Sequence, residues 1–193
     1  MIEINGKAPA EMMMNGQIVS EIQRNGSIAY KKATTGGIYL AQDSDFEGTE
    51  DGDFRYIGTE TEIEIPHTIK GVPVTEHLLM FYTDNGSLVE KVVSTNSNID
   101  NMKYLFHQTT STTLDVSEYD VSGSTNMIYT FRESSATTID LSSWVLNDNY
   151  IKMTGMFQDC SATTGYARTQ ADADLFNESI TKRPAGLTFV VKP

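Results

Sequence analysis

Tyr104, Tyr119, Tyr129, Trp144 and Tyr150 are spread through a stretch rich in Asn, Asp, Ser and Thr. That mixture suits carbohydrate, because a ring covers the C–H face of a sugar while amides and carboxylates meet its hydroxyls. Tyr104 and Tyr129 each follow a Met by two residues, so on a helical turn they point away from the face that Met102 and Met127 occupy. Tyr104, Tyr119, Tyr129 and Trp144 all carry a second reading as interior packing, in which Tyr119 and Trp144 fill a corner.

Other reactive residues form weaker patterns. The run from Asp43 to Asp53 starts like a calcium loop, with Asp43, Asp45 and Glu47 at its first, third and fifth positions and Gly48 at its sixth. Its twelfth position, where a bidentate Glu belongs, is Phe54. The plain reading is a turn at Asp51-Gly52 with solvated carboxylates; a looser Ca²⁺ site is the alternative. His67, His77 and His107 are too scattered for a zinc motif, and no serine sits in a nucleophile elbow. Paired glycosidase carboxylates have no signature to set them apart among so many acids. Cys160 has no second cysteine to pair with and reads as a small packed thiol. The chain is therefore expected to be non-enzymatic and to need no cofactor.

The elements that must position these residues repeat. Phe81, Phe106, Phe131 and Phe157 recur at intervals of 25, 25 and 26 residues, each ending an apolar cluster. Met102, Met127 and Met153 precede the last three by four residues, which places Met and Phe on one face of a helical turn. Thr113–Ser117 and Thr138–Ser142 alternate as short strands do. Such self-similarity predicts stacked coils that shelter one another's apolar faces. The expected fold is a β-rich α+β chain: a short right-handed parallel solenoid of about 25-residue coils built on a Phe and Met core ladder.

Asn5-Gly6, Asn15-Gly16 and Asn25-Gly26 lie ten residues apart between apolar runs, the strongest short-range hairpin signal. Residues 1–32 therefore read as a small antiparallel β-hairpin unit and 33–37 as a linker. Residues 38–75 read as a β capping region, 76–163 as the repeats and 164–193 as a C-terminal helix-strand cap. Thr169 to Asp172 has capping-box spacing with Asp in place of Glu, and Leu187–Val191 is a β-prone strand.

A net charge of −12 argues against nucleic acid and anionic lipid as partners. No stretch approaches the roughly 18 apolar residues of a membrane span. Met1–Gly6 lacks the basic and apolar pattern of a secretory leader, which suggests assembly in the cytoplasm.

Ile65-Pro66-His67-Thr68-Ile69-Lys70-Gly71-Val72-Pro73-Val74-Thr75, with Ile139–Trp144 and Met153–Ser161, resembles the BspA-like leucine-rich-repeat family and its 25-residue surface-protein repeat. The ending, Thr164–Asp174 and Gly186–Lys192, resembles the terminus of prophage-encoded members, and residues 1–32 resemble Asn-Gly hairpins of tail proteins from phages of Gram-positive bacteria. The resemblance implies a leucine-rich-repeat scaffold in a virion tail or baseplate protein. Residues 1–32 would bind other tail proteins, and the repeats would bind host cell-wall polysaccharide or a surface protein, with avidity gained by homo-oligomerisation. A virion decoration protein without a receptor, a cell-surface adhesin and a cell-wall hydrolase are the alternatives.

Overall fold

Successive 25-residue segments are joined by turns rather than by strands. The N–H groups of Met102, Tyr104, Phe106 and Gln108 donate to the carbonyls of Asn126, Ile128, Thr130 and Arg132, at 2.8, 3.1, 2.8 and 3.0 Å. The intervening N–H groups of Leu105, His107 and Thr109 fold back three residues onto Met102, Tyr104 and Phe106. An α-helical turn would direct all of these groups four residues back. The expected helical turns at these positions are thus chains of tight turns. They keep Met and Phe on one face because three- and four-residue spacings both return a side chain to the same side.

The computed structural model of the chain describes residues 12–14, 17–22, 30–32, 38–50, 52–84, 86–147 and 151–193. Two compact units divide it, residues 1–40 and 41–193. In the first unit, β1 (Met12–Met14) pairs antiparallel with β2 (Gln17–Ile22), and β2 with β3 (Tyr30–Lys32); β4 (Tyr39–Leu40) ends the unit. The Asn-Gly pairs lie outside the described residues.

The second unit opens with two antiparallel hairpins, β5 (Phe46–Gly48) with β6 (Phe54–Tyr56) and β8 (Thr68–Ile69) with β9 (Val72–Pro73). Between the hairpins runs β7 (Glu62–Glu64), which pairs in parallel with β10 (Lys91–Val93). Towards the C-terminus, β11 (Thr138–Leu141), β12 (Thr164–Ala167) and β13 (Thr188–Val191) form a parallel sheet. Helix α1 (Gln170–Asn177) lies between β12 and β13 in the chain. Thr169 Oγ1 accepts from the Asp172 N–H while the Asp172 carboxylate accepts from the Thr169 N–H, satisfying two donors at the helix start.

This arrangement overturns the expected parallel solenoid. The strands are divided among five small separate sheets, some antiparallel and some parallel, with one α-helix among the described residues. Side-chain turns recur where the extended stretches stop, at Asp140 in β11 as well as between the strands. Asn101, Asp115, Asp120 and Asn126 each accept, through a side-chain oxygen, the backbone N–H two residues on. Such turns end extended backbone. The expected strand at Thr113–Ser117 is reduced to a single bridge at Asp115, and Glu76, Asn101, Asn126 and Lys152 are likewise joined by single parallel bridges.

The core follows the phenylalanines. Phe81, Phe106, Phe131 and Phe157 are fully buried and stack at centroid distances of 5.6, 5.3 and 5.9 Å. Tyr56 meets Phe81 edge-on at one end, and Phe189 and Phe176 close on Phe157 at the other. Met102, Met127 and Met153 are buried alongside. Buried hydroxyls are also paired between segments: Thr109 Oγ1 lies 2.7 Å from Ser134 Oγ, and Ser124 Oγ donates to the Ile99 carbonyl.

Candidate functional site

In each turn segment the residue two before the repeat Phe adopts a left-handed backbone. Leu79, Tyr104, Tyr129 and Gly155 have φ of 51°, 60°, 58° and 64°. Their N–H groups donate to Lys103, Ile128, Thr154 and Ile180, so the strained conformation serves the inter-segment bonds. A non-glycine residue in this region costs about 1–2 kcal/mol, a cost that Leu79, Tyr104 and Tyr129 bear at this position and that Gln108, Glu133 and Asp159 bear again at the position two after the repeat Phe.

The result is a ladder of rings. Tyr104 and Tyr129 are half-buried and stack at 5.0 Å with a 23° interplanar angle. His107 meets Tyr104 at 5.3 Å, and Tyr82 stacks on His107 at 5.2 Å and 20°. Lys103 Nζ lies 5.2 Å from the Tyr104 centroid, and the Arg132 guanidinium 5.4 Å from that of Tyr129. At the far end a Cβ on Gly155 would come within 2.3 Å of Tyr129 Cε1, so the Tyr129 ring lies directly on the Gly155 backbone. The His107 Nδ1–H donates to the Arg132 carbonyl at 3.0 Å, which fixes the ring proton on that nitrogen. Gln108 Nε2 donates to Glu133, which also pairs with Arg132 at 2.7 Å; the amide first, and the guanidinium with it, hold the Glu133 carboxyl below its usual range.

Because these rings stack, they spend their inner faces on one another. Tyr104 and Tyr129 present edges and hydroxyls rather than open faces. Tyr82 is 49% exposed, keeps one face outside the stack and walls a cleft of about 360 Å³ with Thr83, Asp84, Ser87 and Gln108. Neither Tyr82 nor His107 stood out in the sequence. Tyr82 falls outside the Met-to-Phe register, directly after Phe81, and the stack that marks it is a contact between segments.

Tyr119 and Trp144, two further expected members of the aromatic stripe, lie elsewhere. Tyr119 and Trp144 are buried beside Phe106 and Phe131, at 6.2 and 6.0 Å, so the interior reading of these two residues is the one the structure realises. The Trp144 indole N–H donates to the Val116 carbonyl at 3.1 Å, and the Tyr119 hydroxyl is hydrogen-bonded to His77 Nδ1. Burial pushes the Tyr119 phenol up and brings His77 down to about 3, so both are neutral at physiological pH. Tyr150 lies outside the described residues.

The three candidate calcium ligands of the acidic run are engaged separately. Asp43 accepts from the Lys70 N–H and Asp45 from the Gln42 N–H, both at 2.7 Å, while Glu47 sits in the β5–β6 hairpin opposite Arg55. No group of three or more His, Cys, Asp or Glu among the described residues is placed to hold a metal. Cys160 is buried and its thiol is pushed up by desolvation, leaving little reactive thiolate. A second cleft, of about 420 Å³, lies against α1. It has aliphatic walls and no ring, and Asp172, one of its polar lining groups, is already engaged in the capping box.

The family described as Mycoplasma protein of unknown function, DUF285, matches residues 74–181, more than half of the chain and all four turn segments. The chain belongs to that family. The match relates the repeats loosely to those of BspA-like proteins and assigns no activity. No curated protein and no solved structure matches the chain.

Proposed function

We propose that the protein is a non-enzymatic binding protein that recognises glycan on a bacterial surface. The observation that supports this most is the ladder Tyr82–His107–Tyr104–Tyr129 on one face of the repeat turns. Rings fixed by stacking and by a rigid backbone lose little freedom when a partner arrives, the economy that aromatic recognition surfaces exploit. Three reactive side chains are already engaged: His77 is sealed against Tyr119, His107 holds a carbonyl, and Cys160 is buried.

The setting follows from the resemblance of residues 1–32 and of the C-terminus to phage proteins. In this reading the chain belongs to the tail or baseplate of a phage or prophage. Its N-terminal unit attaches to other tail proteins, and its repeats face host cell-wall polymer or a surface protein. Several copies per particle would add avidity without any new contact.

The test is retention of the full chain on purified walls of Gram-positive bacteria, with and without chemical removal of their glycopolymers. Retention that disappears with the glycopolymer is the expected result. Failure to be retained on any intact wall would remove the recognition role.

A further inference from the structure

We propose that the cleft walled by Tyr82, Thr83, Asp84, Ser87 and Gln108 is a saccharide subsite that takes an uncharged pyranose residue on the outer face of Tyr82. The proposal rests on the glycan-binding reading and narrows it to one place and one class of sugar.

The geometry of the ladder selects Tyr82. Tyr129 stacks on Tyr104, lies against the Gly155 backbone and has Arg132 over its ring, and Tyr104 contacts both Tyr129 and His107, with Lys103 over its ring. Both rings are engaged by neighbours and are less exposed than Tyr82. Tyr82 ends the stack, is half exposed and borders the cleft. His107 backs it as a second ring and is held in place by its bond to the Arg132 carbonyl. The platform is therefore built before any ligand arrives.

The remaining walls supply polar atoms at the rim of this platform. Asp84 is exposed and offers carboxylate oxygens, which accept from sugar hydroxyls in charge-assisted bonds. Gln108 donates its amide N–H to Glu133, which leaves its carbonyl oxygen to accept. Ser87 Oγ donates to the Asp84 carbonyl, so its lone pairs remain for a hydroxyl donor. Thr83 takes no direct part. Its hydroxyl donates to Tyr56 and accepts from Gly86, pinning the loop that carries Asp84. A set dominated by acceptors, in a chain of net charge −12, favours a sugar rich in hydroxyl donors and repels phosphate or carboxylate. The volume lies at the small end of ligand pockets, roughly 300–1,000 Å³, which suits one or two sugar residues rather than a long buried chain.

Isothermal titration of the full chain with chitopentaose, cellopentaose, maltopentaose and mannopentaose tests the proposal, alongside Tyr82→Ala, Tyr82→Phe and Asp84→Asn. At least one of these neutral oligosaccharides should bind. Tyr82→Ala should weaken that binding roughly tenfold or more, Tyr82→Phe should hold it within about twofold, and Asp84→Asn should weaken it roughly tenfold. Matching thermal melts of the four proteins keep a folding defect from passing as lost affinity; if Tyr82→Ala melts early, the Phe and Asn variants decide. Binding that survives Tyr82→Ala overturns the subsite while leaving a glycan-binding protein. Retention on cell walls without affinity for any of the four sugars overturns the uncharged-sugar assignment alone, and absence of wall retention removes the broader reading as well.

Discussion

His77 is a buried titratable group whose Nδ1 is taken by the Tyr119 hydroxyl and whose Nε2 has no partner among the described residues. Desolvation lowers it from 6.5 to about 3. The unfolded chain binds the proton first as pH falls through 6.5, so the folded state loses stability from there down to about 3 and is level below it. A difference of this size sets an upper bound of a few kcal/mol, about 1.4 for each pH unit of separation. Chemical denaturation of the wild type and of His77→Leu/Tyr119→Phe at pH 7, 5.5 and 4 isolates the effect, because the carboxylates are common to both proteins. The wild type should lose stability relative to the double variant across that range; parallel curves would mean that His77 is already charged or hydrated. A second residue-scale effect belongs to Gly155. Placing Ala there adds the left-handed backbone cost and drives a Cβ into the Tyr129 ring. Gly155→Ala should destabilise by about 1–3 kcal/mol. Tyr129→Ala in the same molecule should recover the steric part and leave the backbone part, which a double-mutant cycle separates.

At the scale of the element, neighbouring positions of one turn serve the core and the ladder differently. Phe131 stacks between Phe106 and Phe157 with no exposure to speak of, whereas Tyr129, two residues earlier on the same turn, is half-buried. Phe131→Ala should therefore cost about 3–5 kcal/mol and Tyr129→Ala about 1 kcal/mol or less, measured as midpoint shifts in urea at unchanged slope. Comparable losses at both positions would place the ladder inside the core. The phenylalanine spacing is legible in sequence because a buried ring must recur wherever a segment is repeated. The path of the backbone between those rings is not. An apolar pair four residues apart fits a helical turn and a chain of tight turns equally well, and the choice is made by N–H groups that bond to the next segment. The same limit applies to Thr113–Ser117, where alternation suggests a strand: Asp115 and Asp140 make the same turn, yet only Thr138–Leu141 pairs over four residues, with β12. Helix α1 was easier, since Thr169 and Asp172 form its start within four residues. Of the aromatic surface, Tyr104 and Tyr129 could be placed by their offset from Met, but Tyr119 and Trp144 could not be told from interior residues by spacing, and Tyr82 and His107 gain meaning only through contacts between segments.

For the molecule as a whole, charge decides how a surface contact would respond to its medium. The chain carries 14 basic and 26 acidic residues, and bacterial walls rich in anionic polymer would repel it over distances of about 10 Å at 0.1 M salt. Added salt screens that repulsion and leaves ring stacking and short hydrogen bonds nearly untouched. Recognition through the aromatic ladder and the Tyr82 cleft should thus hold constant or strengthen as sodium chloride rises from 50 to 500 mM. A contact made by Lys103 and Arg132 with an anionic polymer would do the reverse, falling steeply over the same range as electrostatic attraction is screened. Their geometry already argues against it: Lys103 lies over the Tyr104 ring, and Arg132 is paired with Glu133 and lies over that of Tyr129. Quantifying the wall-bound fraction of the full chain at three salt concentrations separates the two modes. A loss of more than about tenfold between the lowest and the highest would assign recognition to the cations rather than to the rings.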